Sequence, residues 1–189
     1  HLSSGKCTLV RVLQEGVGDV VKGGLVKFPL KFASGIQRGR FSPKDGQLYV
    51  SGLSVWQSSA SRDGCFQRVR ATGEPVNWPV EMKTLKNGIA LTFTGALDEK
   101  SATDAQNFSV EHWNYKWTGN YGSPDLSVQN PGKQGRDLLL VNNLKLSNDK
   151  RTVTIEADGW KPAMQVKIKY RITAADGSPL SHELHLTLH

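Results

Sequence analysis

The sequence has few of the features that mark redox, metal or membrane proteins. Its two cysteines, Cys7 and Cys65, lie in neither a CxxC nor a CxxCH pattern, so a zinc ribbon and a covalently attached haem are unsupported. The pair leaves two alternatives open: one disulfide in an oxidising compartment, or two buried thiols. No apolar run reaches the ~18 residues that span a bilayer, so we expect no membrane insertion.

Sequence motifs of catalysis are also missing. There is no GxSxG elbow, no P-loop and no GxGxxG fingerprint. The carboxylates fall mostly in predicted turns, and no spacing singles out an acid and a base for glycoside hydrolysis. We therefore expect that the chain is not an enzyme on its own and carries no cofactor.

Positive charge is plentiful but dispersed. The formal net charge is +7 and the isoelectric point about 9.5, values that invite a nucleic-acid interpretation. The lysines and arginines are nevertheless spread along the chain without a run of five, and their alternate spacing in 164–172 is typical of a solvated strand face. We expect no nucleic-acid partner.

Hydrophobic residues alternate with a period of two, and helical periodicity is nearly absent. This pattern predicts an all-β protein, with residues 1–72 forming a small antiparallel sheet, 73–79 a linker, and 80–189 a β-sandwich of about seven strands, the number expected of an Ig-like domain. Residues 97–108 read as a short helical turn. Strands of the first part are predicted at Thr8–Leu13, Leu25–Phe32, Leu48–Trp56 and Phe66–Ala71.

Aromatic residues are concentrated in one place. Of 15 aromatics in the chain, four lie within residues 113–121, at the start of a predicted insertion at 114–136. In strand register Trp113, Tyr115 and Trp117 would share one face, with Trp113 as the core tryptophan of the sandwich. Trp117 and Tyr121 either pack the insertion against the first part or contact a ligand.

Aromatic faces beside amides and carboxylates suit sugar rings, which present apolar C–H faces and hydroxyl rims. A polysaccharide or other glycan is therefore the predicted ligand, with other domains of a larger chain as partners. The candidate ligand-binding residues are Tyr115, Trp117, Asn120, Tyr121 and Asp125.

The first residue gives an alternative with different chemistry. An N-terminal histidine offers an α-amine and an imidazole, and with a second histidine it forms the copper-binding brace of lytic polysaccharide monooxygenases. His1 with His112 is the candidate metal site of this alternative, in which the chain is a copper-dependent oxidative enzyme acting on polysaccharide.

Several turn motifs recur in the order found in a known family. The run 88-GIALTFTGALDEKSATDAQNFSVEHW-113, followed by 143-NLKLSNDKRTVTIEADG-159 and 167-KIKYRITAADGSPL-180, resembles a bacterial Ig-like domain of the SbsA type. Residues 34–57 and 62–73 resemble the last blade of a propeller of the glucose/sorbosone dehydrogenase type. The combination resembles the middle of large secreted bacterial proteins that are described as membrane-bound dehydrogenases or carbohydrate-associated proteins.

The resemblance implies a secreted or periplasmic accessory module, used for binding or scaffolding within a larger carbohydrate-associated protein. The remaining propeller blades and a CxxCH haem motif are missing from the sequence, so we do not carry dehydrogenase activity over to it. A fragment of a quinone-type sugar dehydrogenase is a further alternative.

Overall fold

The computed structural model describes residues 2–188, and its regular secondary structure is almost all antiparallel β, with 53% of residues in strands and 4% helical, which confirms the predicted all-β class. A short helix α1 (Glu99–Ala102) and a 3₁₀ turn (Ala105–Asn107) lie where the helical turn was predicted. The strands are β1 (Leu2–Ser3), β2 (Thr8–Val17), β3 (Val20–Lys27), β4 (Gly35–Phe41), β5 (Leu48–Leu53), β6 (Gly64–Val69), β7 (Pro79–Leu85), β8 (Gly88–Phe93), β9 (Phe108–Trp113), β10 (Asp137–Leu139), β11 (Val141–Leu146), β12 (Thr152–Ala157), β13 (Ala163–Thr173) and β14 (Pro179–Leu188).

Two compact units alternate along the sequence. The first comprises the residues up to Val12 together with Lys27–Pro75, and the second comprises Leu13–Val26 together with the residues from Val76 onward. The predicted first part, 1–72, therefore differs from the structure in one segment. Leu13–Val26 belongs to the second unit because β3 pairs with β14 there, and the later boundary falls inside the predicted linker 73–79.

The first unit contains a three-stranded sheet in the order β4-β5-β6. Gly46 adopts a φ of +67° in the β4–β5 hairpin, as expected for the Asp-Gly turn. One face of the sheet packs around Phe32, Ile36 and Val50, which Leu2 and Leu9 help to cover. Strand β4 was not predicted, because the Gly and Arg residues of GIQRGRF hide any apolar alternation.

The two cysteines of this unit are free thiols in the structure. Cys7 is buried, and its Sγ lies 3.9 Å from the carbonyl oxygen of Ser4. Cys65 is half-buried and packs against the core around Ile36 and Val50. Of the two alternatives left open by the sequence, the structure shows thiols.

The second unit is built from two sheets. One has the order β2-β3-β14-β13-β9-β10, with β2 contributing from Leu13 onward, and the other has the order β11-β12-β8-β7. The alternation predicted for 164–172 produces the buried row Val166, Ile168 and Tyr170. Phe93 of β8 meets Tyr170 of β13 edge to face at 5.7 Å, so apolar faces of the two sheets pack together.

Among residues 2–188, no helix has the length and apolar character that crossing a membrane requires.

Candidate functional site

The aromatic insertion leaves the sheet directly after Trp113. Strand β9 ends there, and the predicted strand register of Tyr115 and Trp117 is wrong because no strand continues past this residue. The base of the insertion is instead closed by an isolated bridge between Asn114 and Leu126. Further along the insertion, the amide of Lys116 donates to Oγ of Ser123 at 2.8 Å. The six residues 117–122 enclosed by this hydrogen bond form the tip of the loop, and the two contacts fix its base.

Two large rings lie on this tip. Trp117 is 88% exposed and Tyr121 is fully exposed, with Asn120 exposed between them. Neither ring packs within the second unit, and both ring faces are open to a ligand. The alternative in which they pack against the first part stays a prediction.

The other two candidate ligand residues are less free. Tyr115 is half-buried, and its amide donates to Sδ of Met164 at 3.4 Å. The carboxylate of Asp125 accepts a 2.7 Å hydrogen bond from Nε of Arg136. A ligand that used Asp125 would have to share it with this guanidinium.

Trp113 is buried, as predicted, but not in the interior between the sheets. Residues alternate along β9, and Trp113 lies on the outer face beside Glu111, opposite the inward row of Val110 and His112. The guanidinium of Arg136 covers its ring at 3.9 Å from the centroid. This cation–π contact buries an outward-facing tryptophan.

The same arginine joins a small ionic network at the base of the insertion. Arg136 reaches Glu111 at 3.5 Å, and Lys167 lies 2.5 Å from the same carboxylate. The hydrogen bond from Lys167 holds the pKa of Glu111 below its ordinary value, and the bond to Asp125 raises the pKa of Arg136. Both pKa shifts favour the charged forms, so Glu111 and Arg136 are ionised at neutral pH. The ion pair between Arg136 and Asp125 also holds this side of the loop in place.

His112 is buried inside the second unit. Its side chain is fully buried on the inner face of β9, with Nε2 3.3 Å from Oδ2 of Asp137 but without a well-directed hydrogen bond to either ring nitrogen. Burial lowers the pKa of His112, opposed by the neighbouring carboxylate, so the ring is neutral at pH 7. The other member of the predicted brace, His1, lies outside the described residues, so the copper site stays a prediction.

Asp137 is the anchor of the insertion. Its carboxylate accepts hydrogen bonds from Oγ of Ser127 at 2.7 Å and from the amides of Val128 and Gln129 at 2.7 and 3.0 Å. Desolvation acts to raise its pKa, but these hydrogen bonds outweigh it and the pKa is lowered. Over residues 2–188 there is no group of three His, Cys, Asp or Glu side chains placed to hold a metal ion.

The contacts of Arg136 and Asp137 were not predicted from the sequence. Both follow a Gly-rich turn, QNPGKQG, and the pair Arg136–Asp137 reads as ordinary loop charge. The sequence signal that could have identified them is a cation next to an anion, Arg136 and Asp137, at the start of a strand and directly after an insertion that contains Asp125.

Comparison of the chain with protein-family models, with curated proteins and with solved structures gave no match.

Proposed function

We propose that the chain is a non-catalytic binding and scaffolding module of a larger secreted or periplasmic carbohydrate-associated protein, and that the loop tip 117–122 is its glycan-binding site. The observation that carries the proposal is the exposure of Trp117 and Tyr121 on a loop whose base is pinned. Exposed apolar area of this kind costs solvation unless a partner covers it.

The chemistry of the tip fits a sugar ring. An indole and a phenol offer apolar faces for the C–H groups of a pyranose, and the amide of Asn120 offers both a donor and an acceptor for its hydroxyls. The fixed base means that little loop ordering has to occur on binding, which favours affinity. The resemblance to SbsA-type Ig-like domains beside a propeller blade supports the same context.

The test is binding to immobilised neutral polysaccharides, namely cellulose, xylan, starch and chitin. We expect affinity for at least one of them, and a loss of roughly tenfold, equal to about 1.4 kcal/mol, on Trp117→Ala. Trp56→Ala is the matched control, because Trp56 is 86% exposed and lies in the first unit. The proposal is wrong if none of the four is bound, or if the two variants lose affinity equally.

A further inference from the structure

The positive charge of the chain is not evenly distributed once residues are assigned to the two units. The first unit contains ten lysines and arginines against three acidic residues, a formal charge of +7. The second unit contains fourteen of each and is neutral. The entire net charge of the protein therefore belongs to the first unit, although it looks dispersed along the sequence because the units alternate.

Three of these ten cations lie on one face of the β4-β5-β6 sheet. Cross-strand pairing places Arg40, Tyr49 and Arg68 in one row, and Arg38, Ser51 and Phe66 in the next. We call these six residues the arginine face. It is the face opposite the core around Ile36 and Val50, and its three arginines are exposed.

Two aromatic rings lie between the arginines. Tyr49 and Phe66 stack on each other with centroids 5.8 Å apart and an interplanar angle of 25°, yet Phe66 remains 74% exposed. The hydroxyl of Tyr49 donates to Asp45 at 2.9 Å, which fixes the ring. Hydrogen bonds, first from the amide of Gln47, hold the pKa of Asp45 below its ordinary value, so this carboxylate stays an acceptor.

An open cleft of about 690 Å³ lies along β6 and is lined by residues from both faces of the sheet, Phe66 of the arginine face and Cys65 and Gln67 of the core face. Phe66 lines it together with Lys31 and Arg62, two further cations of the same unit. An extended ligand that crosses the sheet would thus meet positive charge both on the arginine face and in the cleft.

We propose that the arginine face and this cleft bind an acidic polysaccharide, a chain of sugar rings that carries carboxylates. Guanidinium groups pair with carboxylates through two parallel hydrogen bonds, and the exposed ring of Phe66 takes a sugar face. The site belongs to the first unit, whereas the loop tip 117–122 belongs to the second, and it differs from the loop tip in selecting for charge.

Asp45 distinguishes between the anionic chains that a face of this charge could bind. Arg40 and Arg68 are two strands apart, roughly 10 Å, and Arg38 and Arg40 are two residues apart, about 7 Å, so each arginine can pair with a separate anionic group. The carboxylate of Asp45, which is hydrogen-bonded to Tyr49 of this face, would repel the phosphates of a nucleic-acid strand, whereas it can accept a hydrogen bond from a sugar hydroxyl.

The experiment uses the full chain and three probes: polygalacturonate oligomers, the same oligomers as methyl esters, and a thymidine oligonucleotide. We expect the acid form to bind, the ester to bind at least about tenfold more weakly, and affinity to fall with added salt. Arg40→Ala with Arg68→Ala should reduce binding of the acid form about tenfold or more. Phe66→Ala should weaken it severalfold without changing the salt dependence.

The matched control is the double variant Lys6→Ala with Arg11→Ala, which removes the same charge from exposed positions of the first unit outside the β4-β5-β6 sheet. It should bind within about threefold of the parent chain. Equal losses in the two double variants would show a general charge effect and overturn the proposal. So would equal binding of the ester, no binding of the acid form, or tighter binding of the oligonucleotide, the last of which would assign the face to nucleic acid.

Discussion

At the scale of single residues, the second unit holds two histidines in an environment that disfavours their charged form. His112 is fully buried, and His182 packs between Trp78 and Tyr170 with ring centroids at 4.3 and 5.9 Å. Burial lowers the pKa of both imidazoles below the ordinary value of 6.5. The unfolded chain therefore takes up protons near pH 6.5 that the folded chain does not.

It follows that the free energy of unfolding is at its full value above about pH 6.5 and declines as the pH falls below it. Denaturant midpoints measured from about pH 8 to about pH 5 should show this decline. His182→Phe keeps a ring beside Trp78 and removes one titrating group. The unfolding free energy of this variant should therefore fall less steeply with decreasing pH, by a slope that corresponds to at most one bound proton. A midpoint that is flat over this range, or a variant with an unchanged slope, would contradict the assignment.

Asp137 acts in a separate window. Because its pKa is lowered from 3.8, its contribution is present above that value and is lost only at more acidic pH. The decline between about pH 6.5 and about pH 5 therefore belongs to the histidines.

Residue roles were predictable from the sequence only where a local pattern determines them. Trp113 was expected to be buried as the core tryptophan of the sandwich, and it is buried, although on the outer face of β9. Its cover, Arg136, comes from 23 positions later, and only the path of the insertion brings the two together. Strand alternation does not show on which face of the sheet such a partner arrives.

At the scale of elements, the hairpin β2–β3 is the clearest difference between the expected and the observed structure. Val26, Leu25 and Gly24 pair with Leu184, His185 and Leu186 of β14, so β3 extends the larger sheet of the second unit. The sequence predicted a strand at Leu25–Phe32 in the first sheet, because the KGG run at 22–24 reads as a turn. In the structure both glycines lie within β3, and at Gly24 neighbouring side chains leave little room for a Cβ.

Gly24 and Gly23 provide a paired test of this placement. A Cβ on Gly24 would come within 2.7 Å of Sδ of Met82 and 3.2 Å of Cδ1 of Leu184, while one on Gly23 would come no closer than 3.9 Å to the carbonyl oxygen of Leu13. Gly24→Ala should lower the free energy of unfolding by about 1–2 kcal/mol through overpacking, and Gly23→Ala should change it by less than about 0.5 kcal/mol. Denaturant titration of both variants is the measurement.

The contrary result is informative. Equal effects of Gly24→Ala and Gly23→Ala would mean that β3 does not pack against Met82 and Leu184. A second contact also places the β2–β3 hairpin in the second unit. Glu15 of β2 accepts hydrogen bonds from the amide and hydroxyl of Thr84 of β7 at 2.9 and 2.7 Å.

Elements that alternate cleanly were predicted well. Strands β8, β12 and β13 lie where Ile89, Val153 and Ile168 alternate with polar residues, and their inward sides are buried. Strand β4 was not predicted from the sequence, because it contributes to the arginine face, where exposed polar side chains interrupt the alternation of apolar residues that marks a strand. The same property makes this face a binding candidate, so the error and the inferred site have one physical cause.

At the scale of the whole molecule, the alternation of units along the chain has a consequence for any division of the protein. Cutting at the boundary read from the sequence, in the linker 73–79, separates the hairpin Leu13–Val26 from the sheet to which it belongs. A fragment of residues 76–189 would then leave β14, which carries Leu184 and Leu186, as an unpaired edge strand. Open edges of this kind add strands from other chains.

We therefore expect the fragment 76–189 to associate with itself and to melt below the full chain. A synthetic peptide of residues 13–26 should supply the missing strand by β-augmentation, restoring a monomer and raising the melting temperature as its concentration rises. The same peptide with Gly24→Val would have to displace the side chains of Met82 and Leu184, so it should bind more weakly and serves as the control. Size-exclusion chromatography and thermal melts measure both effects. A fragment that is monomeric and as stable as the full chain without peptide would show that the hairpin is dispensable, and that the boundary at 73–79 is a true domain boundary after all.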